Sequence, residues 1–273
     1  MNVSQAFILG IVQGITEFLP VSSSGHLVLL QRIFGISEPA LIFETAVHGG
    51  TLIAVFAVLW RDILSILRRI TQPLTLYIII ATIPAVIVAL ALRNWIEDAF
   101  QTGAFLGFAF LVTSALLFLS EKLRLSKGKS SQEAPFSSRD KMNWIDALVI
   151  GLFQAFALIP GISRSGATIS GALFRGLDRS YAARFSFLLS IPAILGALVL
   201  HARGFVNAAT ATEGSIGALP LVVGTLISGI VAFFSMHLLF RILKRYSLCG
   251  FAVYTGILGL LVLADQYVTR IFL

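Results

Sequence analysis

The chain alternates long apolar stretches with short polar connections, and this pattern predicts its secondary structure. A membrane β-barrel would show alternating apolar and polar residues, whereas these stretches are continuous. Six of them approach the roughly 20 residues that a spanning helix needs: Leu41–Trp60, Pro73–Leu92, Ala104–Ser120, Ala182–His201, Leu219–Phe240 and Gly250–Ala264. The pattern therefore predicts an all-α polytopic membrane protein with about six full transmembrane helices.

Two further apolar stretches are shorter and end at a break. Gln5–Leu19 stops at Pro20 and a serine run, and Trp144–Ile159 stops at Pro160. Short apolar segments interrupted by Pro and Gly are typical of re-entrant or discontinuous helices. Because non-helical backbone at membrane depth is tolerated only beside protein or a water-filled cavity, the breaks predict two re-entrant hairpins at a cavity.

The two breaks resemble each other at a fixed offset. The first contains Gly10, Gln13, Ser22, Ser24 and Gly25, and the same residue types recur 141 positions later at Gly151, Gln154, Ser163, Ser165 and Gly166. Chance similarity among helices rich in Gly and Ser is the alternative. We interpret the offset as two repeats, 1–125 and 142–273, each with a re-entrant hairpin and three spans, joined by a basic connection at 126–141.

Charge in the connections predicts how the repeats face. Basic residues concentrate after Trp60, Ser120 and Phe240, and such connections face the cytoplasm. The connections Arg93–Gly103 and Ala202–Ala218 lack this excess and are expected outside. Leu41–Trp60 and its counterpart Ala182–His201 would then cross in opposite directions, as in an inverted repeat. The first hairpin would enter from outside and the second from the cytoplasm.

Composition agrees with this membrane assignment and excludes other classes. Hydrophobic residues make up 57% of the chain and charged residues 12%, which excludes a disordered chain, a fibrous repeat and an ordinary cytosolic enzyme. The net charge of +7 resides in the connections, so we expect no nucleic-acid partner. The single cysteine, Cys249, excludes a disulfide framework and a cysteine zinc cluster.

The first break carries the strongest candidate chemistry. Charged residues inside a membrane are costly and usually functional, and Glu17 ends the first broken helix on the face that also holds Gln13. The residues that follow include Ser22, Ser23, Ser24, Gly25 and His26. The alternative is a helix start capped by Ser23 or Ser24, with His26 satisfied in the core. Apolar residues flank Glu17 and His26, and we favour a functional site.

A carboxylate and an imidazole lie close together at the start of the Leu41–Trp60 stretch. Glu44 and His48 are four residues apart and share one helix face. The alternative is that Glu44 and His48 pair with each other and only help the helix to pack. Carboxylates near one cavity are the oxygen ligands that divalent cations prefer, so Glu17 is a candidate metal ligand and the Glu44–His48 pair is a candidate accessory.

The second break carries an arginine at its tip. Arg164 lies between Ser163 and Ser165, with Gly166 and Thr168 just beyond, where a helix is expected to begin. Free N–H groups at a helix start attract anions, and a guanidinium binds phosphate through two hydrogen bonds. An arginine that merely reaches the lipid headgroups is the alternative. We favour an anion site.

Together the two breaks suit a phosphorylated amphiphile with its tail in lipid. Glu17, Ser23 and His26 on one hairpin would face Arg164 on the other. The expected reaction is hydrolysis of a phosphoanhydride or phosphoester by charge stabilisation with a general acid or base. The attacking group (Ser23, His26 or water) and the oligomeric state, a homodimer included, stay open.

The motifs resemble one known family over essentially the whole chain. The runs Gln13–His26 and Pro160–Thr168 are similar to the two signatures of the undecaprenyl-diphosphatase family of bacitracin-resistance proteins. The resemblance implies hydrolysis of undecaprenyl diphosphate to the monophosphate, a divalent cation (Mg²⁺ or Ca²⁺), and a site facing outward from the cytoplasmic membrane. It also implies Glu17, Ser23, His26 and Arg164 as the catalytic residues.

This sequence departs from the family pattern at one position. The first motif often begins with Glu, but here it begins with Gln13, which we expect to bind substrate together with Ser22, Ser24, Gly25, Ser163, Ser165, Gly166 and Thr168. The Ser-Gly-His string is also similar to type-2 phosphatidic acid phosphatases, but the Arg-Pro that they need is missing from the sequence. The remaining rival is a polyprenyl-phosphate transporter or flippase, because inverted repeats with broken helices are a transporter architecture.

Overall fold

The computed structural model of the protein describes residues 1–36, 41–103, 105–126, 142–210 and 217–269, and all regular structure in these ranges is helical. A π-helical turn, Asp265–Thr269, follows the last helix. The α-helices are α1 (Val3–Thr16), α2 (Ser23–Ile33), α3 (Leu41–Val58), α4 (Trp60–Arg68), α5 (Pro73–Ala91), α6 (Arg93–Thr102), α7 (Leu106–Ser126), α8 (Trp144–Phe156), α9 (Arg164–Phe174), α10 (Arg179–Thr210), α11 (Ala218–Arg245) and α12 (Cys249–Ala264).

The predicted all-α polytopic class is confirmed. Within the described ranges, five helices are long and apolar enough to cross a membrane, and a bent pair raises the number to six. The five long helices correspond to the predicted stretches in α5, α7, α10, α11 and α12. The protein is therefore a multi-pass membrane protein, as the continuous apolar runs indicated.

One predicted span differs from the structure. Leu41–Trp60 is not a single straight helix, because α3 ends at Val58 and α4 continues at an angle of 79°. The residues of α4 are amphipathic, and the buried Asp62 of this helix lies 3.4 Å from Arg184 Nε on α10. This contact holds α4 against α10. Because such a tertiary contact cannot be read from the sequence, the apolar run alone did not predict the bend.

The two short apolar helices begin and end in the same way. Asn2 and Asn143 each cap a helix through a capping box, with Gln5 and Asp146 as the reciprocal partners. Helix α1 ends at Thr16 and α2 begins at Ser23, whereas α8 ends at Phe156 and α9 begins at Arg164. Both predicted breaks are thus present as turns between helices.

Close backbone contacts pack each short helix against a long one. Helix α1 packs on α11, and α8 packs on α5. A Cβ added at Gly10 would lie 2.7 Å from the carbonyl oxygen of Gly224, and one added at Gly151 would lie 2.5 Å from that of Ala81. Small residues allow such approach within membranes, which explains the glycines at both positions.

The first break lies against the main apolar core. The ring of Phe18 is almost completely buried, and its centroid is 5.0 Å from that of Phe187 on α10. This packing fixes the turn after α1, and so fixes Glu17 beside it. Residues 127–141 of the predicted basic connection and 211–216 of a predicted external connection lie outside the described residues.

Candidate active site

The carboxylate of Glu17 joins four side chains from four helices. Glu17 follows α1 and is 5% exposed. Its Oε2 accepts hydrogen bonds from Gln13 Nε2 at 2.9 Å and from Ser23 Oγ at 2.6 Å. His48 Nε2 on α3 lies 3.3 Å from the same oxygen. The other oxygen, Oε1, accepts from Arg164 of α9, so both oxygens are engaged.

The turn between α1 and α2 and the turn between α8 and α9, called the first and second tips below, contact each other. Besides the Arg164–Glu17 ion pair, Ser165 Oγ donates to the carbonyl oxygen of Leu19 at 3.1 Å. Ser163 N–H donates to Thr113 Oγ1 of α7 at 3.1 Å, which anchors the second tip to a long helix. The structure thus brings together the two motifs that the sequence analysis assigned to one site.

Both tips are built as capped helix starts. Ser22 Oγ accepts from Gly25 N–H at 3.2 Å, and Ser163 Oγ accepts from Gly166 N–H at 3.0 Å. The cap of α2 is therefore Ser22 rather than Ser23 or Ser24, which leaves Ser23 Oγ pointing at Glu17. Ser22 adopts a left-handed φ of +72°, a strained conformation of the kind found at functional sites.

Equivalent positions in the two tips carry different chemistry. Ser23 and Arg164 are each the first residue of a helix and differ by the same offset of 141. They bind opposite oxygens of Glu17. At the position corresponding to Glu17 the second tip has Leu158. The second break therefore supplies a cation to the acidic group of the first, and has no acid of its own there.

His26 is held by a separate set of contacts. Its Nδ1 lies 2.7 Å from the carbonyl oxygen of Ser22, and its Nε2 lies 2.7 Å from the hydroxyl of Tyr254 on α12. Phe110 of α7 packs edge-on against the ring at 5.4 Å. A Cβ on Gly25 would lie 2.7 Å from Phe110 Cζ, so glycine is needed for this packing.

Glu44 and His48, the predicted accessory pair, make contacts in two different places. His48 contacts Glu17, and its Nδ1 lies 2.6 Å from the backbone oxygen of Glu44. The Glu44 carboxylate instead accepts from Gln31 Nε2 of α2 at 3.1 Å. His48 is therefore part of the site around Glu17, whereas the Glu44 side chain links α3 to α2.

Two further predicted residues make contacts within their own motifs. Thr168 Oγ1 donates to the carbonyl oxygen of Arg164 at 2.9 Å and lies 2.6 Å from Ser186 Oγ on α10. Ser24 Oγ is 3.5 Å from Ser22 Oγ. These contacts support the helix starts that carry Arg164 and Ser23.

The described residues do not fit a preformed divalent-cation site. No group of three His, Cys, Asp or Glu side chains in the described ranges is placed to hold a metal ion. Both oxygens of Glu17 already accept from Ser23, Gln13 and Arg164. A calcium site uses six to eight oxygen ligands, and magnesium demands octahedral geometry.

Three partners in this region were missed by sequence reasoning. Tyr254 binds His26, Gln31 binds Glu44, and Thr113 binds the second tip. Tyr254 and Thr113 lie inside apolar spans, and their partners are 228 and 50 positions away. A single hydroxyl within an apolar run does not identify a functional residue. The one signal that the sequence offers is that such a polar side chain lies inside a long span.

Comparison with known proteins agrees with the geometry. The profile described as bacitracin resistance protein BacA matches residues 6–261. An undecaprenyl-diphosphatase of Carboxydothermus hydrogenoformans is 43% identical over 97% of this chain and 98% of its own. Undecaprenyl-diphosphatase 3 of Bacillus cereus is 42% identical over the full length of both chains, and an undecaprenyl-diphosphatase of Methanosphaera stadtmanae is 38% identical over 96% of this chain and 97% of its own. The chain therefore belongs to the bacitracin resistance protein BacA family.

Proposed function

We propose that this protein hydrolyses undecaprenyl diphosphate to undecaprenyl phosphate and phosphate, recycling the lipid carrier of cell-wall synthesis and so conferring bacitracin resistance. Family membership and the names of the relatives support the substrate. The observation that carries the chemistry is the buried Glu17 carboxylate, which binds Arg164 on one oxygen and the Ser23 hydroxyl on the other.

In this mechanism the diphosphate competes with Glu17 for Arg164. The guanidinium is 22% exposed at its side chain, and a diphosphate offers it more negative charge and a bidentate partner. The free N–H groups at the starts of α2 and α9 add to the attraction for an anion. Once Arg164 turns to the substrate, Glu17 loses its cation and becomes a better base.

Ser23 is the nucleophile in this proposal because its hydroxyl already donates to Glu17. Ser23 Oγ attacks the terminal phosphorus, its proton passes to Glu17, and the bond to the bridging oxygen breaks. Undecaprenyl phosphate leaves with that oxygen. Water then attacks the phosphorus of the phosphoserine and the bond to Ser23 Oγ breaks. Ser23 Oγ regains its proton from Glu17, and the proton lost by water leaves with the released phosphate. Arg164 stabilises the charge on the phosphoryl oxygens in both steps.

The activity is tested with purified protein in detergent and undecaprenyl diphosphate. Release of phosphate supports hydrolysis, since detergent offers no two membrane sides and transport cannot be scored. A protein that releases no phosphate but moves a polyprenyl phosphate between the leaflets of a vesicle would support the rival transporter function.

The nucleophile is tested with substrate labelled in the terminal phosphate. Rapid quenching should trap label on the wild-type chain and none on Ser23→Ala, and peptide mapping should locate it at Ser23. Label on His26 would assign attack to the imidazole. Protein that stays unlabelled while it releases phosphate would assign attack to water.

The membrane arrangement is part of the same proposal. We infer two re-entrant hairpins in an inverted repeat of residues 1–125 and 142–273, with the site facing outward from the cytoplasmic membrane. The capping boxes at Asn2 and Asn143 support it. So does the packing of the short helix of each proposed repeat on a long helix of the other, α1 on α11 and α8 on α5. A homodimer and a requirement for Mg²⁺ or Ca²⁺ stay predictions, and no catalytic step is assigned to a cation.

A further inference from the structure

His26 is fixed at both ring nitrogens by groups with opposite hydrogen-bonding character. Nδ1 faces the carbonyl oxygen of Ser22 at 2.7 Å, and a carbonyl only accepts, so Nδ1 carries a proton. In a neutral imidazole the other nitrogen is then an acceptor. Nε2 therefore receives the hydrogen of the Tyr254 hydroxyl, 2.7 Å away. The second-repeat helix α12 thus supplies the partner of a first-repeat histidine.

Ring contacts restrict His26 further. The rings of His26 and Tyr254 are almost parallel, at 8° with centroids 5.7 Å apart, and Phe110 closes another side at 85°. His26 is only 9% exposed. A buried nitrogen lone pair without a donor would be costly, so the Tyr254 hydroxyl stabilises the one ring orientation in which Nε2 is satisfied.

We propose that Tyr254 is a positioning residue for the reaction, acting through His26; this rests on the proposed function. The phenol holds the imidazole in place and keeps Nε2 hydrogen-bonded both in the free protein and during the reaction. The imidazole in turn binds the carbonyl oxygen of Ser22, the residue next to the proposed nucleophile Ser23, so the ring orientation affects the position of that hydroxyl. Tyr254 itself does not touch the reacting atoms.

The first test compares two Tyr→Phe variants. Tyr254 and Tyr246 line the same apolar groove, but the Tyr246 hydroxyl has no hydrogen-bond partner among the described residues. Tyr254→Phe should lower kcat about tenfold, the effect of one hydrogen bond lost at the transition state, with KM within about twofold. Tyr246→Phe should leave both constants unchanged. Equal effects of the two variants would overturn the proposal.

The second test asks whether Tyr254 acts through His26. In a His26→Ala background, Tyr254→Phe should cause no further loss, since residues that act as one unit are not additive. A full tenfold loss there would overturn the proposal. ¹⁵N NMR of labelled histidine gives an independent readout: the His26 Nε2 resonance should move in Tyr254→Phe and stay in Tyr246→Phe. An unmoved resonance would also overturn it.

Failure of the proposed function gives a different result. If the wild-type protein releases no phosphate from undecaprenyl diphosphate, the hydrolytic function is wrong and so is the kinetic role of Tyr254. The NMR comparison would still separate that outcome from an absent Tyr254–His26 hydrogen bond, because it needs no substrate.

Discussion

At the scale of single residues, Glu17 is the group on which the site depends. Its carboxylate accepts from Gln13, Ser23 and Arg164 and contacts His48. Glu17→Gln keeps the size of the side chain but removes its charge and basicity. We expect turnover to fall at least about a hundredfold, the scale of a lost acid–base group. The variant should still fold, because Arg164 can turn toward water. Near-normal turnover of the purified variant would remove Glu17 from the mechanism.

Arg164 gives the second prediction. If the guanidinium binds a diphosphate through two hydrogen bonds, lysine keeps the charge but loses the planar, bidentate geometry. Arg164→Lys should therefore lower turnover strongly and Arg164→Ala more so, with kcat falling more than affinity because the anionic transition state loses more than the ground state. Steady-state kinetics of both purified variants measure this, with circular dichroism to check folding. Retention of most activity by Arg164→Lys would instead favour an arginine that only reaches the headgroups.

Residue chemistry was predictable only where a polar group interrupts an apolar run. Glu17, His26 and Arg164 were predicted as site residues in this way, because charged residues inside a membrane are costly and usually functional. Tyr254 was not found, because a phenol is compatible with a spanning helix and its partner is 228 positions away. The different roles of Glu44 and His48 were also not predictable, because both lie on one helix face. Only the tertiary contact of Glu44 with Gln31 shows that its carboxylate links α3 to α2.

At the scale of elements, apolar continuity predicted the long helices but not their bends or the amphipathic pieces. Helix α6, Arg93–Thr102, was predicted as a connection because its charged residues interrupt the apolar pattern. The 79° bend between α3 and α4 falls at Leu59, and no Pro or Gly lies between Thr51 and Arg68, so the sequence had no marker at the bend itself. The breaks after α1 and α8 were predictable because Pro and Ser-Gly runs mark them.

Two adjacent glycines on α3 give a prediction at this scale. A Cβ on Gly50 would lie 2.2 Å from the Thr225 carbonyl oxygen of α11, whereas one on Gly49 would meet only a Leu198 methyl at 3.7 Å. Gly50→Ala should force α3 and α11 apart and cost about 1–3 kcal/mol, as overpacking does. Gly49→Ala should be close to neutral. Denaturation of the two purified variants compares them directly, and equal stability would contradict the tight α3–α11 contact.

At the scale of the whole molecule, charge predicts the orientation. The basic connections after Trp60, Ser120 and Phe240 predict that both termini lie outside and that Glu121–Asn143 lies inside. A single cysteine at position 129, in a Cys249→Ser background, should resist a membrane-impermeant thiol reagent in intact cells and react after lysis. A cysteine at position 2 should react in both. Labelling of position 129 from outside would refute this topology.

The pairing of Glu17 with Arg164 has a consequence for biosynthesis. The two residues are 147 positions apart, and at about 5–20 residues per second the ribosome needs roughly 7–30 s to pass from one to the other. During that interval the acidic segment has left the ribosome without its arginine, and His48 is the other basic side chain that contacts Glu17 in the finished structure. Full burial of Glu17 in lipid would be costly for so long. We therefore expect the first hairpin to wait at the membrane surface or within the insertion machinery until the second half of the chain has been made.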